Sequence, residues 1–174
     1  MSASIIVCGP SGVGKSRIGG PVASRLGLPF VEGDELHPPA NIAKMAGGVP
    51  LDDGDRWPWL DAVVARLEEI GPAVATCSAL KRSYRDRLRA VGEVCFVLLT
   101  APGEELGSRL AGRTGHFFDP DLLADQLATL EMPSGDETDV LVVSTVGAPD
   151  VVVERVLDRL QEHGTAAPGW PPRL

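Results

Sequence analysis

The stretch "GPSGVGKS", Gly9 to Ser16, sets three glycines, a lysine and a serine at the spacing G-x-x-x-x-G-K-[ST]. The chemistry of that spacing is the holding of phosphate. Gly9, Gly12 and Gly14 let the backbone curl until successive N–H groups point inward at anionic oxygens. Lys15 can then reach the β- and γ-phosphates of a nucleoside triphosphate, and the Ser16 hydroxyl can ligate Mg²⁺. An apolar run, "SIIVC" (4–8), precedes the motif, and a helix-like segment opens at its end. That order brings the positive end of a helix dipole to the same phosphates.

The motif leaves the second substrate open. No N-K-x-D guanine motif occurs, and the apolar run "AVATCSA" (73–79) does not end in the aspartate of a Walker B strand. A magnesium carboxylate must come from elsewhere, and Glu32 and Asp34 in "FVEGDELHPPANIAKM" (30–45) are the nearest candidates. Asp34 and His37 lie there beside two prolines. In "LDDGDRWPW" (51–59), Arg56 follows three aspartates and is flanked by aromatic residues. In "CSALKRSYRDRLR" (77–89), Lys81, Arg85 and Arg89 fall at i, i+4 and i+8 and would share one helix face. Taken alone, a charge run is a solvated surface and a loop histidine is merely satisfied. Here the basic segment follows a strand, at the end of an open α/β sheet where ligands bind.

The chain has 174 residues, enough for one domain with a substantial core. Its formal charge of −8 argues against duplex nucleic acid as a partner, so any anion must meet a local basic cluster. No apolar run approaches the ~20 residues of a membrane helix. The start "MSASIIVCGPSG" lacks a basic n-region for a signal peptide. Cys8, Cys77 and Cys95 each sit in or at the end of a β-like run, as buried reduced thiols of a cytoplasmic protein would.

To position these groups, the chain alternates two kinds of segment. Short β-branched runs at 4–8, 29–32, 73–79, 94–100 and 139–145 read as buried strands. Between them lie helix-like segments at 15–26, 55–71, 81–90, 103–111, 120–131 and 150–162. Pro58 suits the first turn of the second of these. Gly19, Gly20 and Pro21 are poor interior residues for the first. The alternation implies right-handed crossovers and a parallel sheet covered on both faces. Residues 1–163 are expected to form one domain and 164–174 an irregular tail.

Six segments in order, "GPSGVGKS", "GDELHPPANIAKMAGGVPLDDGDRWPWL", "CSALKRSYRDRLR", "RLAGRTGHFF", "LADQLATLE" and "DVLVVS", resemble the gluconate kinases of the shikimate/adenylate-kinase-like P-loop group. The resemblance implies a P-loop NTPase-type three-layer α/β/α fold. Its five-stranded parallel sheet would have the order 2-3-1-4-5, with a short lid over about 109–120. It implies ATP-dependent, Mg²⁺-assisted phosphorylation of D-gluconate to 6-phospho-D-gluconate, feeding sugar-acid catabolism and the pentose phosphate pathway. A homodimer is also implied.

ATP would meet Gly9, Ser11, Gly12, Val13, Gly14, Lys15, Ser16, Arg17 and Arg109. The acceptor region, about 34–59 with later residues, would use Asp34, His37, Arg56, Trp59, Lys81, Arg85, His116 and Gln126. Ser16, Glu32 and Asp34 would serve the metal. Lys15, Asp34, Arg109 and Arg113 would act in catalysis, with Asp34 orienting the attacking hydroxyl. Two rivals share the phosphate loop. A shikimate-type kinase would have another acceptor, and a nucleotide-binding switch would not need Asp34 or the lid arginines.

Overall fold

The computed structural model describes residues 3–112 and 120–165. Five strands form one sheet: β1 (Ser4–Cys8), β2 (Phe30–Val31), β3 (Val74–Thr76), β4 (Val94–Thr100) and β5 (Val140–Ser144). All pairings are parallel, in the order β2-β3-β1-β4-β5. The central strand is locked on both sides, with Ile6 opposite Ala75 of β3 and Phe96 of β4.

Alternation along β1 builds two cores. Ile5 and Val7 face one side, with Ile18 and Val22 of α1 (Lys15–Leu26), Leu106 of α5 (Gly103–Ala111), Leu123 of α6 (Pro120–Thr129) and Val156 of α7 (Pro149–Glu162). Ile6 and Cys8 face the other, with Leu60 and Val63 of α3 (Asp53–Ile70) and Tyr84 and Leu88 of α4 (Arg82–Leu88). These are the three layers expected. Among the described residues no helix is long and apolar enough to cross a membrane.

Four local expectations change. The helix α1 runs unbroken through Gly19, Gly20 and Pro21. Gly19 has a packing reason: a Cβ there would lie 3.0 Å from Phe30 and 3.3 Å from Thr76, so its absence lets the helix lie close on the sheet. The helix α3 begins at Asp53, ahead of the expected 55, because Asp52 and Asp55 form a reciprocal capping box. Pro58 therefore sits in the second turn, not the first. No helix is expected after the two prolines. His37 and Pro38 are extended, as residues before a proline are, yet Pro39 opens α2 (Pro39–Ala46), as a proline at a first helical position can. Lastly, β3 ends at Thr76, and Cys77–Lys81 is an irregular corner that leads into α4.

Candidate active site

The strands point their carboxyl ends the same way, so the loops after β1, β2, β3 and β5 gather at one edge of the sheet. The first is the phosphate loop. Gly9 has φ 135°, and a Cβ there would lie 2.5 Å from Leu99 O, so only glycine fits between β1 and β4. Gly14 is the N-cap of α1, and Ser16 and Arg17 follow exposed in its first turn. Lys15 folds back on the loop, and its Nζ donates to the carbonyls of Gly9 (3.1 Å) and Pro10 (3.3 Å).

Two helices reach over this loop. From α6, the carboxamide of Gln126 makes a two-bond pair with Ser11: Ser11 N donates to Oε1 (2.7 Å) and Nε2 donates to Ser11 Oγ (2.9 Å). From α5, Arg109 donates to Val13 O (3.4 Å) and to Thr145 Oγ1 and O (both 2.9 Å), with Glu105 bracing its other edge. Arg109 thus ties the phosphate loop to the loop after β5.

After β2 the chain makes a short 3-10 turn, Gly33–Leu36. Thr76 Oγ1 binds both Gly33 N (3.0 Å) and the Glu32 carboxylate. Trp59 Nε1 donates to Gly33 O (2.7 Å). Asp34 projects from this turn and is exposed. His37 is buried beneath it, and burial lowers its pKa from the ordinary 6.5, against the attraction of Asp34. Asn41 Nδ2 donates to Asp55 O (2.8 Å), so the same nitrogen can only donate to His37 Nδ1 at 3.2 Å. The histidine is therefore neutral, with its proton on Nε2.

A cavity of about 690 Å³ opens between the start of α3, the corner after β3 and the outer face of α6. Leu51, Asp53, Arg56, Lys81, Asp125 and Thr129 line it. Its polar groups are linked. Asp53 accepts from Lys81 Nζ (2.8 Å) and from the Tyr84 hydroxyl. Arg56 donates to the Tyr84 hydroxyl oxygen (3.3 Å) and lies over its ring. Hydrogen bonds from Lys81 and then Tyr84 hold the Asp53 carboxyl below its usual range, and that carboxylate raises the pKa of Lys81. Burial, then the bond to Asp53, raises the pKa of Tyr84.

The expected site residues divide accordingly. The phosphate-loop residues and Arg109 meet at one end, and Arg56 and Lys81 meet in the cavity. Gln126 joins the phosphate loop directly, while its helix neighbours Asp125 and Thr129 line the cavity. Trp59 is 1% exposed and supports the 3-10 turn from below, which leaves it no face for a ligand.

The shared basic face of Lys81, Arg85 and Arg89 does not form. Lys81 is the N-cap of α4 and turns to Asp53. The Arg85 side chain has no exposed surface and pairs with Glu137, and Arg89 pairs with Glu137 and Asp139. A bidentate bond from Arg85 drops the pKa of Glu137 to about 2. Arg113 and His116 lie outside the described residues.

Asp53 and Tyr84 carry the cavity's polar network, and periodicity alone gave them no role. Their signal was composition: an acidic cap and one tyrosine inside otherwise basic and acidic runs. Cys8, Cys77 and Cys95 are buried free thiols, and burial pushes Cys8 up to about 12.

Among the described residues no group of three or more His, Cys, Asp or Glu side chains could hold a metal by itself. Ser16 and Asp34 are both exposed oxygen donors. A set of one hydroxyl and one carboxylate suits Mg²⁺, which usually keeps waters and is completed by substrate phosphates. Glu32 already binds Thr76 and is the weaker candidate.

No family model matches the chain. Individual relatives do. It is 47% identical over 162 residues to a gluconokinase of Gluconobacter oxydans, covering 90% of each chain. A crystal structure of a gluconokinase from Sinorhizobium meliloti superposes with a TM-score of 0.86 at 47% identity, over 92% of this chain and 93% of that one. A shikimate kinase from Aquifex aeolicus shares the fold alone, with a TM-score of 0.59 at 16% identity over 94% of this chain and 99% of that one.

Proposed function

The chain belongs to the gluconokinase family, and from that premise we propose that it transfers the terminal phosphate of ATP to the 6-hydroxyl of D-gluconate. The observation that carries the reading is the cavity with Arg56 and Lys81 on its wall, joined by one helix to the phosphate loop. Gluconate is a linear polyol with a carboxylate at one end. Arg56 and Lys81 supply the cations for that carboxylate, and Asp53 and Asp125 supply acceptors for hydroxyls.

Phosphoryl transfer asks mainly for positioning and for neutralising charge on the transferred group. The backbone N–H groups at the start of α1, from Gly14 to Ser16, and the ammonium of Lys15 do this at the phosphate end. To do so Lys15 exchanges its two carbonyl partners, at 3.1 and 3.3 Å, for phosphate oxygens. Asp34, exposed on a rigid turn, accepts the proton of the attacking hydroxyl and aims its oxygen. Arg109 serves the nucleotide side, and by resemblance to the family Arg113 would act with it in catalysis and His116 would bind the acceptor. Ser16, with Glu32 or Asp34 as the carboxylate, would hold Mg²⁺, which supplies positive charge beside the phosphates.

One catalytic unit over residues 1–163, a homodimer and a cytoplasmic location complete the proposal. Light scattering on the purified protein tests the dimer. The activity test is ADP release with D-gluconate, with D-glucose and with no acceptor. Release that depends on gluconate is expected, and glucose should be far poorer because it lacks the carboxylate that Arg56 and Lys81 would bind. Equal or faster turnover of glucose would overturn the assignment of the acceptor.

A further inference from the structure

The corner between β3 and α4 holds an unusual backbone. Ala79 has φ 41°, and among the described residues no other non-glycine has a positive φ. A residue with a Cβ adopts this left-handed form only under constraint. Ala79 is also fully buried.

The corner faces two ways. In front, Ser78 O accepts from Gly9 N of the phosphate loop (3.1 Å), and Lys81 lines the cavity. Behind it stands Arg85. Its Nε and Nη2 each donate to Glu137 at 2.8 Å. Its Nη1 donates to the carbonyls of Ala79 and Leu80 (both 3.4 Å) and of Glu131 (3.1 Å). The two side chains are 0% and 2% exposed. Only the planar fork of arginine can hold a carboxylate with one edge and carbonyls with the other. A buried ion pair is a poor device for stability alone, since apolar side chains of the same volume often do as well. It is a good device for fixing one geometry.

We infer that Arg85 and Glu137 are positioning residues for the acceptor: they clamp the left-handed turn at Ala79 from behind and thereby set where Lys81 stands in the cavity. The inference rests on the reading of that cavity as the gluconate site.

Steady-state kinetics in both substrates, with thermal unfolding alongside, test it on the whole chain. Arg85→Lys keeps the charge and loses the fork, and Glu137→Asp shortens the clamp. Each should raise the KM for gluconate roughly tenfold while the KM for ATP stays within about twofold. Ala79→Gly alone should be nearly silent. Added to either variant it should restore most of the lost gluconate affinity, because glycine holds the left-handed turn without a clamp. If Arg85→Lys does not fold, the Glu137→Asp pair carries the same comparison.

Lower melting temperatures with an unchanged gluconate KM would overturn the inference. So would a raised KM that Ala79→Gly leaves in place, the pattern of an arginine that touches the acceptor itself. A wild type inert toward gluconate would instead overturn the functional reading, and this inference with it.

Discussion

The indole of Trp59 lies flat against the imidazole of His37, with 4.0 Å between ring centroids and 15° between planes. The same indole donates to Gly33 O. One buried side chain thus holds both sides of Asp34 and keeps His37 out of water. Burial lowers the His37 pKa below the ordinary 6.5, so the unfolded chain binds the proton more readily than the folded one. The stability from neutral His37 is complete above that ordinary value and is lost as pH falls through the folded pKa. Urea unfolding from about pH 7.5 to about pH 5 should show declining stability, and His37→Gln should flatten the decline. Asp53 and Asp55, held below 3.8, respond only at lower pH. Rising stability on acidification through the upper window would contradict the burial argument.

Asp34 offers the sharpest test of chemistry. Asp34→Asn keeps the shape of the turn and removes the proton acceptor. General-base help is worth ~10²–10⁴-fold, and kcat should fall by that much while ATP still binds. If Asp34 only shapes the turn, the asparagine variant will turn over almost normally, and nucleotide affinity measured in parallel will tell the two apart.

Lys15→Met keeps most of the length of the side chain and discards its charge. Loss of a transition-state donor costs on the order of 10²-fold or more in kcat. The melting temperature of the free protein should move little, since only two hydrogen bonds to loop carbonyls are lost. Turnover within tenfold of wild type would remove Lys15 from the mechanism.

Gln126→Ala breaks both bonds to Ser11. Each neutral hydrogen bond contributes roughly 1 kcal/mol, so kcat/KM for ATP should drop by about one to two orders of magnitude. The KM for gluconate should change much less if the chief task of Gln126 is to hold the phosphate loop. A selective loss of gluconate affinity would instead favour direct contact with the acceptor.

The phosphate loop was legible because its backbone demands glycine at fixed positions, and such demands survive in any context. The sheet was legible from β-branched runs, and its order came from resemblance to a family. The basic segment 77–89 was misread for a physical reason. A spacing of four tells which residues share a helix face but not whether that face meets solvent or a partner carboxylate. Glu137 lies 52 residues beyond Arg85, and nothing local announces the pairing. The helix α2 was missed because consecutive prolines suit an extended chain and a helix start equally, and the docking of Asn41 and Lys44 onto Asp55 decides between them. Arg56 and Lys81, singled out from their motifs, both line the cavity.

Gly33 has no room to vary. A Cβ at this position would lie 1.8 Å from Thr76 O. Its N–H is bound by Thr76 and its carbonyl by Trp59. In a library of random substitutions, position 33 should tolerate no replacement. The exposed positions just beyond it, Asp34 and Glu35, meet no such steric wall. Selection for a new acceptor would therefore find its material from Glu35 onward, two steps downstream of a residue that cannot change, and would inherit an unaltered corner whatever it chose.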